Sequence, residues 1–277
     1  MPAKSILITG CSSGIGRDAA LRLKAEGWRV FASCRQAEDC AQWKADGFES
    51  PRIDYTDPAS IESGVAEVLQ ATGGTLDALF NNGAHGLNGA VEDLPPDALR
   101  DIFESNVFGW HDLTTRVLPV MRRQGHGRII QCSSVLGRVS MRWRGAYNAS
   151  KHALEALSDT MRVELHDTGI HVVLIEPGPI TTEFRQKGQP YFERWIDWEH
   201  SPHKTMYEKS LRPRLYAPPG NPDPFELPAS AVTEKLLHAL NSPRPYPRYF
   251  VTRVTYIAAF LRRFLPDRVI DRILTRI

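Results

Sequence analysis

Between the apolar run Ile6-Leu7-Ile8 and a helix-period segment reaching Gly27, the chain reads Thr9-Gly10-Cys11-Ser12-Ser13-Gly14-Ile15-Gly16. A buried strand that passes through a glycine-rich turn straight into a helix leaves few folds open. Glycines at such a turn let the backbone approach a pyrophosphate. The helix that follows offers free N–H groups and the positive end of its dipole. The spacing is G-x-x-x-G-x-G rather than the commoner G-x-G-x-x-G. Alone it is a weak signal; its place after the first strand of an alternating pattern strengthens it.

That alternation continues to residue 176. Apolar runs at 30–32, a third ending at Ile53, and runs at 76–80, 128–130 and 170–175 read as strands. Helical segments are expected at 14–27, 58–71, 96–124 and 147–168, with a short one between the second and third strands. Continuous apolar strands joined by helices predict a parallel sheet covered on both faces. The texture changes at Pro177, since residues 177–228 hold 10 of the 20 prolines and 8 of the 25 aromatics. Proline removes backbone donors and keeps this stretch out of the sheet. It reads either as a loose surface loop or, the preferred reading, as a lid carrying aromatic side chains over an apolar substrate. A helix over 230–240 and a strand near Tyr249-Phe250 return the chain to the core.

Residues 252–277 are basic and amphipathic, with six arginines against Asp267 and Asp271. Such a segment either packs at the lid or a subunit contact, the favoured reading, or lies on an anionic membrane surface. The domain division expected is therefore 1–251, including the lid, followed by the extension 252–277.

Composition narrows the function classes. With 42% hydrophobic and 24% charged residues the chain is neither disordered nor fibrous, and a net charge of +2 gives no reason to expect a nucleic-acid partner. Cys11, Cys34, Cys40 and Cys132 form no C-x-x-C pair, so reduced thiols in a cytoplasmic setting are expected. No apolar stretch is long enough to span a membrane, and the N-terminus runs into a strand with no room for a signal-peptide core. His200 and His203 lie in the proline-rich segment without a third ligand, so no metal is expected.

Two stretches point to chemistry. At the end of the second strand, where NAD enzymes tend to carry an acid for the ribose 2′-OH, the chain reads Ser33-Cys34-Arg35-Gln36. A guanidinium there suits a 2′-phosphate, so NADP(H) is favoured over NAD(H); the alternative is an ordinary solvated arginine. Asp54 is placed to bond an adenine amino group, or else to cap a helix, a role that Asp57 fits better. The second stretch is Tyr147-Asn148-Ala149-Ser150-Lys151, 13 residues after Ser134. Residues i and i+4 share a helix face, so phenol and ammonium can meet over one substrate. The ammonium and an oxidised nicotinamide favour the phenolate, making Tyr147 an acid/base near neutral pH, while Ser134 polarises the substrate oxygen. Asn106 falls in the stripe Leu99, Phe103, Trp110, Leu113 and Val117. As a buried amide it either satisfies a backbone group or holds a water relaying protons to Lys151.

Together Thr9–Gly16, Asp54, Asn81-Asn82, Asn106, Ser134, Tyr147 with Lys151, and Pro177-Gly178 resemble the short-chain dehydrogenase/reductase family over about residues 4–251. The resemblance implies an α/β fold with a single Rossmann-type doubly wound sheet of about seven strands. It implies the catalytic group Asn106, Ser134, Tyr147 and Lys151. Candidate cofactor contacts are Gly10, Ser12, Ser13, Gly14, Ile15, Gly16, Arg35, Asp54, Tyr55 and Asn82. Tyr147, Lys151, Pro177, Ile180 and Thr182 join them toward the nicotinamide. Homodimers or homotetramers through the helices near 96–124 and 147–168 are implied as well. The chain departs from the family's Asn-Asn-Ala-Gly, reading Asn81-Asn82-Gly83-Ala84. The stretch 265–271 resembles the branch holding retinol and 17β-hydroxysteroid dehydrogenases and bacterial aldehyde reductases. The expected activity is NADP(H)-dependent interconversion of an alcohol and a carbonyl on an apolar substrate. A long-chain aldehyde, a retinoid or a steroid fits that description. The rival is a non-catalytic dinucleotide sensor on the same fold.

Overall fold

The structure, a computed structural model, describes residues 3–218 and 223–276. Strands β1 (Ser5–Ile8), β2 (Arg29–Ala32), β3 (Ala78–Asn81), β4 (Gly127–Cys132) and β5 (Ile170–Glu176) join β8 (Arg248–Phe250) in one sheet, while β6 (Ile180–Thr181) pairs with β7 (Leu227–Pro228). The sheet runs β2-β1-β3-β4-β5-β8 with every pairing parallel. Its strands are buried on both faces, which is why they read as unbroken apolar runs rather than alternating ones.

Two apolar layers hold the sheet. On one face Ile6, Ile8, Ile130 and Ile175 pack with Ala19, Ala20 and Leu23 of α1 (Gly14–Ala25) and with Val232 and Leu236 of the helix Ser230–Asn241. On the other, Leu7, Leu79 and Ile129 meet α3 (Pro58–Thr72) through Ile61, Val65 and Val68, and α5 (Gly109–Gln124) through Leu113, Val117 and Met121. Asp57 caps α3, accepting from the N–H groups of Ala59 and Ser60, with Pro58 opening the helix.

Among the described residues the main sheet has six strands where about seven were expected. Among the described residues, the run expected to end in a strand at Ile53 pairs with the sheet edge as isolated bridges, Glu49 to Phe31 and Arg52 to Cys34, and not as a strand. Pro51 lies between them and has no N–H to give, so the ladder breaks there. A second difference lies in the long helix. α4 (Pro96–Phe103) and α5 are joined by a π turn, Glu104–Phe108, whose wider spacing shifts the buried face of α4 to Ala98 and Ile102. Leu99, expected in the stripe, is left exposed. The other expected helices form with ends moved by a few residues, α6 spanning Gly145–Glu164 and α2 Ala37–Ala45.

Residues 180–217 fold into short helices, Phe184–Lys187, Gln189–Trp195, Lys204–Met206 and Arg212–Leu215, with a π turn at Tyr207–Leu211. Phe192, Ile196, Tyr207 and Leu215 bury their side chains against Leu87, Ala98, Ile102 and Ala146, so this stretch is packed rather than loose. The tail forms two helices, Arg253–Phe264 and Asp267–Leu274. No described helix is long and apolar enough to cross a membrane.

Candidate active site

The strand order reverses between β1 and β3, and the carboxyl ends of the strands there open into a cleft of about 1650 Å³. Gly10, at the end of β1, has φ +69°, and a Cβ on it would lie 2.6 Å from the Cα of Gly83. The two backbones touch, so no side chain fits at residue 10, and its φ lies in the left-handed region that favours glycine. Asn82 closes the same junction: its backbone N–H donates to Thr9 Oγ1 at 2.9 Å and its Nδ2 to the Thr9 carbonyl at 3.0 Å. Ser13 is the N-cap residue of α1 but makes no capping bond from its side chain, leaving the first N–H groups of that helix without a side-chain acceptor. A bare helix N-terminus behind a glycine cradle fits a dinucleotide diphosphate.

Of the predicted cofactor contacts, Gly10, Ser12, Ser13, Gly14, Ile15, Arg35, Asp54, Tyr55, Asn82, Tyr147, Lys151, Pro177, Ile180 and Thr182 all line the cleft. Gly16 does not; it is buried where a Cβ would strike the Gly10 carbonyl. Asp54 Oδ1 accepts from the backbone N–H and hydroxyl of Thr56, at 3.0 and 2.9 Å, which holds the loop after Ile53. The Tyr55 hydroxyl turns inward, 2.6 Å from Thr9 Oγ1 and donating to Asn81 Oδ1 at 2.9 Å. Its phenol therefore braces the cradle from below, and burial pushes its pKa up.

The segment after β5 also reaches the cradle, through residues the sequence did not single out. Lys187 Nζ donates to Ser13 Oγ at 2.6 Å and to Ser12 Oγ at 3.2 Å. Arg35 Nη1 donates to the Tyr191 hydroxyl at 3.0 Å, and the Tyr191 ring stacks on His85 at 3.6 Å. Both residues lie in a stretch with no periodicity, so no spacing marked them.

Ser134, Tyr147 and Lys151 lie along one wall of the cleft. Ser134 follows β4 and heads a single turn, its Oγ accepting from the Leu136 N–H at 3.1 Å. Tyr147 and Lys151 share one face of α6, with Lys151 Nζ 5.6 Å from the centre of the Tyr147 ring. Lys151 is only 1% exposed; its Nζ donates to the Cys132 carbonyl at 2.8 Å and sits 4.3 Å from the centre of the Trp110 ring. Burial pushes its pKa down to about 8. Burial drives the Tyr147 phenol the other way, above its ordinary value, with the Ser134 hydroxyl and the Arg144 charge pulling it back. Burial thus opposes the charged form of both groups, yet a Lys151 pKa of about 8 still leaves its ammonium predominant at neutral pH. The Cys132 thiol is buried and pushed up to about 11, which makes it an inert packing group.

Asn106 stands inside the π turn and outside the cleft lining. Its Oδ1 accepts from the His85 N–H at 3.2 Å and its Nδ2 donates to the His85 carbonyl at 2.9 Å. The amide thus pins the loop after β3 from both backbone groups, the structural half of the reading made from sequence. His200 pairs with Asp197 and His203 with Glu92, and no metal-binding group of side chains exists among the described residues.

The remaining walls are the covering segment and the tail. Phe184 meets the Tyr147 ring edge-on at 5.4 Å, and Arg185, Arg214, Asp223 and Phe225 line the cleft beyond it. Val254, Ala258 and Leu261 of the first tail helix and Ile270, Ile273 and Leu274 of the second form an apolar wall. This wall lies next to the turn after Ser134, a place that charge pattern alone did not reveal.

The model of the short chain dehydrogenase family matches residues 4–190. The chain is 42% identical over 271 residues to the uncharacterized oxidoreductase YbbO of Escherichia coli, covering 98% of this chain and 94% of that protein. It is 31% identical over 275 residues to an NADPH-dependent 3-dehydrocapnine reductase of Ornithobacterium rhinotracheale, covering 96% and 94%. The crystal structure of a short-chain dehydrogenase from Streptomyces avermitilis superposes with a TM-score of 0.77 at 30% identity, covering 98% of this chain and 95% of that one.

Proposed function

The chain belongs to the short-chain dehydrogenase family, and from that premise we propose that this oxidoreductase is NADP(H)-dependent and interconverts an alcohol and a carbonyl on an apolar substrate. One observation carries the reading: Ser134, Tyr147 and Lys151 converge in the same cleft as the glycine cradle and its bare helix N-terminus.

The Gly10–Gly16 turn and Asn82 would hold the diphosphate and its flanking riboses, Arg35 the 2′-phosphate, and Asp54 the adenine edge. Ile180 and Thr182 would border the nicotinamide. When bound, the nicotinamide supplies or accepts the hydride. The protein moves the proton: Tyr147 donates it to the carbonyl oxygen, or takes it from the alcohol, while Ser134 holds that oxygen by a hydrogen bond. Lys151 provides the positive charge that brings the phenolate within reach near neutral pH and bonds the ribose. Asn106 keeps the His85 backbone in place and so supports the water relay from Lys151 to solvent. NADP(H) is supported by the guanidinium at the end of β2, where no acid precedes Glu38. A relative whose name states NADPH dependence supports it too.

The apolar substrate reading rests on the tail wall, with 177–228 as the lid and 252–277 as an extension that completes the pocket. Buried free thiols at all four cysteines suit a reducing compartment, and we place the protein in the cytoplasm. Phe108, Leu157 and Val163, exposed on and beside the two long helices, support assembly into a homodimer or homotetramer through them. The far side of the first tail helix shows Tyr256, Phe260 and Phe264 to solvent beside Arg263, which favours a peripheral membrane contact as a second reading. Liposome sedimentation with and without residues 252–277 tests it.

The deciding experiment follows absorbance at 340 nm with NADPH or NADH against aliphatic aldehydes, retinal and ketosteroids. Faster turnover with NADPH on an apolar carbonyl is expected. Tight NADPH binding with no turnover of any carbonyl would instead make the protein a dinucleotide sensor.

A further inference from the structure

Arg144 stands one turn before Tyr147, at the N-cap of α6, and lines the cleft. Among the described residues its guanidinium has neither a hydrogen bond nor an ion pair, although burial presses on its charge. The neighbouring arginines are spoken for: Arg185 Nη2 and Arg214 Nη2 each donate to Asp223, at 2.9 Å, on separate carboxylate oxygens. Glu226, the other carboxylate here, accepts from the Asp223 backbone N–H at 2.7 Å. Three guanidiniums therefore face two carboxylates on this part of the wall, and Arg144 is the one left over. A half-buried guanidinium without a protein acceptor is available to an incoming oxyanion, because its fork matches carboxylate, sulfonate or phosphate oxygens in bidentate fashion.

The position of that charge matters as much as its sign. Arg144 and Tyr147 lie three residues apart at the start of one helix, the spacing at which side chains are neighbours. Phe184 meets Tyr147 edge-on, and the charges of Arg185 and Arg214 lie close enough to Arg144 to press on its own. On the opposite count, the tail contributes Val254, Leu261, Ile270 and Leu274, none of which offers a polar atom. One end of the substrate space is thus cationic and near the proton donor, and another is apolar.

We propose that Arg144 is the anchor for an anionic group on the substrate, so that the natural substrate is an oxo-amphiphile. In it a strong-acid group sits within a few bonds of the carbonyl, and a hydrocarbon chain runs along the tail helices. This rests on the carbonyl reductase reading above and sharpens its substrate class. Arg144 binds ground state and transition state alike through the anion. It also sets which carbonyl reaches Tyr147, since the headgroup fixes the distance from anchor to reacting carbon.

The test compares wild type with Arg144→Met and Arg144→Lys, using long-chain ketones of equal length that are neutral or carry a sulfonate, carboxylate or phosphate two carbons from the carbonyl. The ratio of kcat/KM for anionic over neutral ketone is expected to exceed one in wild type. It should fall roughly 10- to 100-fold in Arg144→Met, the loss that follows from one charge-assisted hydrogen-bonding partner, with Arg144→Lys between. The three headgroups separate carboxylate from sulfonate and phosphate preference. Calorimetry of dodecane-1-sulfonate binding to the NADPH-loaded protein gives a readout free of turnover, and wild type should bind it more tightly than Arg144→Met by the same factor. An unchanged kcat/KM ratio, or equal sulfonate affinity in the two proteins, overturns the anchor. Failure to turn over any ketone overturns the reductase reading instead and leaves the sulfonate comparison to decide Arg144.

Discussion

The Arg35 guanidinium donates a hydrogen bond of 3.0 Å from Nη1 to the phenol of Tyr191, tying the end of β2 to the segment that covers the cleft. The group proposed to hold the 2′-phosphate is therefore already oriented by a covering residue. That residue is itself stacked on His85 of the loop after β3. Arg35→Ala removes a phosphate ligand that NADH does not use. The NADPH dissociation constant should rise roughly 10- to 100-fold while that of NADH moves by less than about 3-fold. Quenching of intrinsic tryptophan fluorescence on titration with each cofactor measures both.

Gly10 meets Gly83 backbone to backbone with φ +69°. Gly10→Ala adds a methyl group that would lie 2.6 Å from the Gly83 Cα and places a side chain in the left-handed region. The two effects together should cost about 2–4 kcal/mol of unfolding free energy and weaken NADPH binding further than that loss alone. Urea unfolding with and without NADPH separates the fold from the site.

Lys151 carries a stability cost that its position explains. Burial holds its folded-state pKa near 8, below its ordinary 10.5. Between those values the unfolded chain binds the proton more readily than the folded one, so stability rises with pH across that window. The penalty is fully present below pH 8. Lys151→Met should be more stable than wild type at pH 7 by about 1–3 kcal/mol, with the gap closing toward pH 10, although it loses turnover. Denaturant midpoints at pH 7 and 9.5, without cofactor, provide the check.

Arg248 holds together an acidic cluster behind the cleft, bonded to the buried Glu155 and Glu176 and to the more exposed Asp159. Glu176 is fully buried and ends β5 just before Pro177, whose carbonyl accepts from the Val135 N–H at 2.8 Å beside Ser134. Removing the guanidinium in Arg248→Met leaves Glu176 facing Glu155 with only Arg138 near, at 3.5 Å. The expected loss is about 3–5 kcal/mol at pH 8. It should shrink as pH falls, because burial and Glu155 already push the Glu176 carboxyl up toward protonation. Thermal unfolding at pH 6 and 8 reads the difference.

What the sequence made legible, and what it did not, divides by range. The glycine turn and the Tyr147–Lys151 pair are local patterns, fixed by a strand end and a helix repeat, and both appear in the structure at those positions. The parallel sheet and its covering helices were legible because buried parallel strands leave continuous apolar runs. Misreadings came where one residue changes local geometry. Pro51 interrupts the edge ladder, and the π turn at Glu104–Phe108 moves the buried face from Leu99 to Ala98. Contacts such as Lys187 to Ser13, Arg35 to Tyr191, and the Arg185–Asp223–Arg214 group span long sequence separations through an aperiodic stretch, so no spacing marks them. Arg144 was within reach of a helical-spacing argument, since it lies three residues before Tyr147.

The central claim is that Tyr147 is the proton donor of a nicotinamide-dependent reduction, and Tyr147→Phe tests it most directly. The variant keeps the ring that packs against Phe184 and removes only the hydroxyl. With enzyme in excess over NADPH and an aldehyde that wild type reduces, the single-turnover decay at 340 nm should slow by about 10³-fold or more, the scale of general acid catalysis plus lost carbonyl polarisation. The NADPH dissociation constant should stay within about 3-fold of wild type. A decay as fast as wild type, with NADPH still bound, would contradict the account.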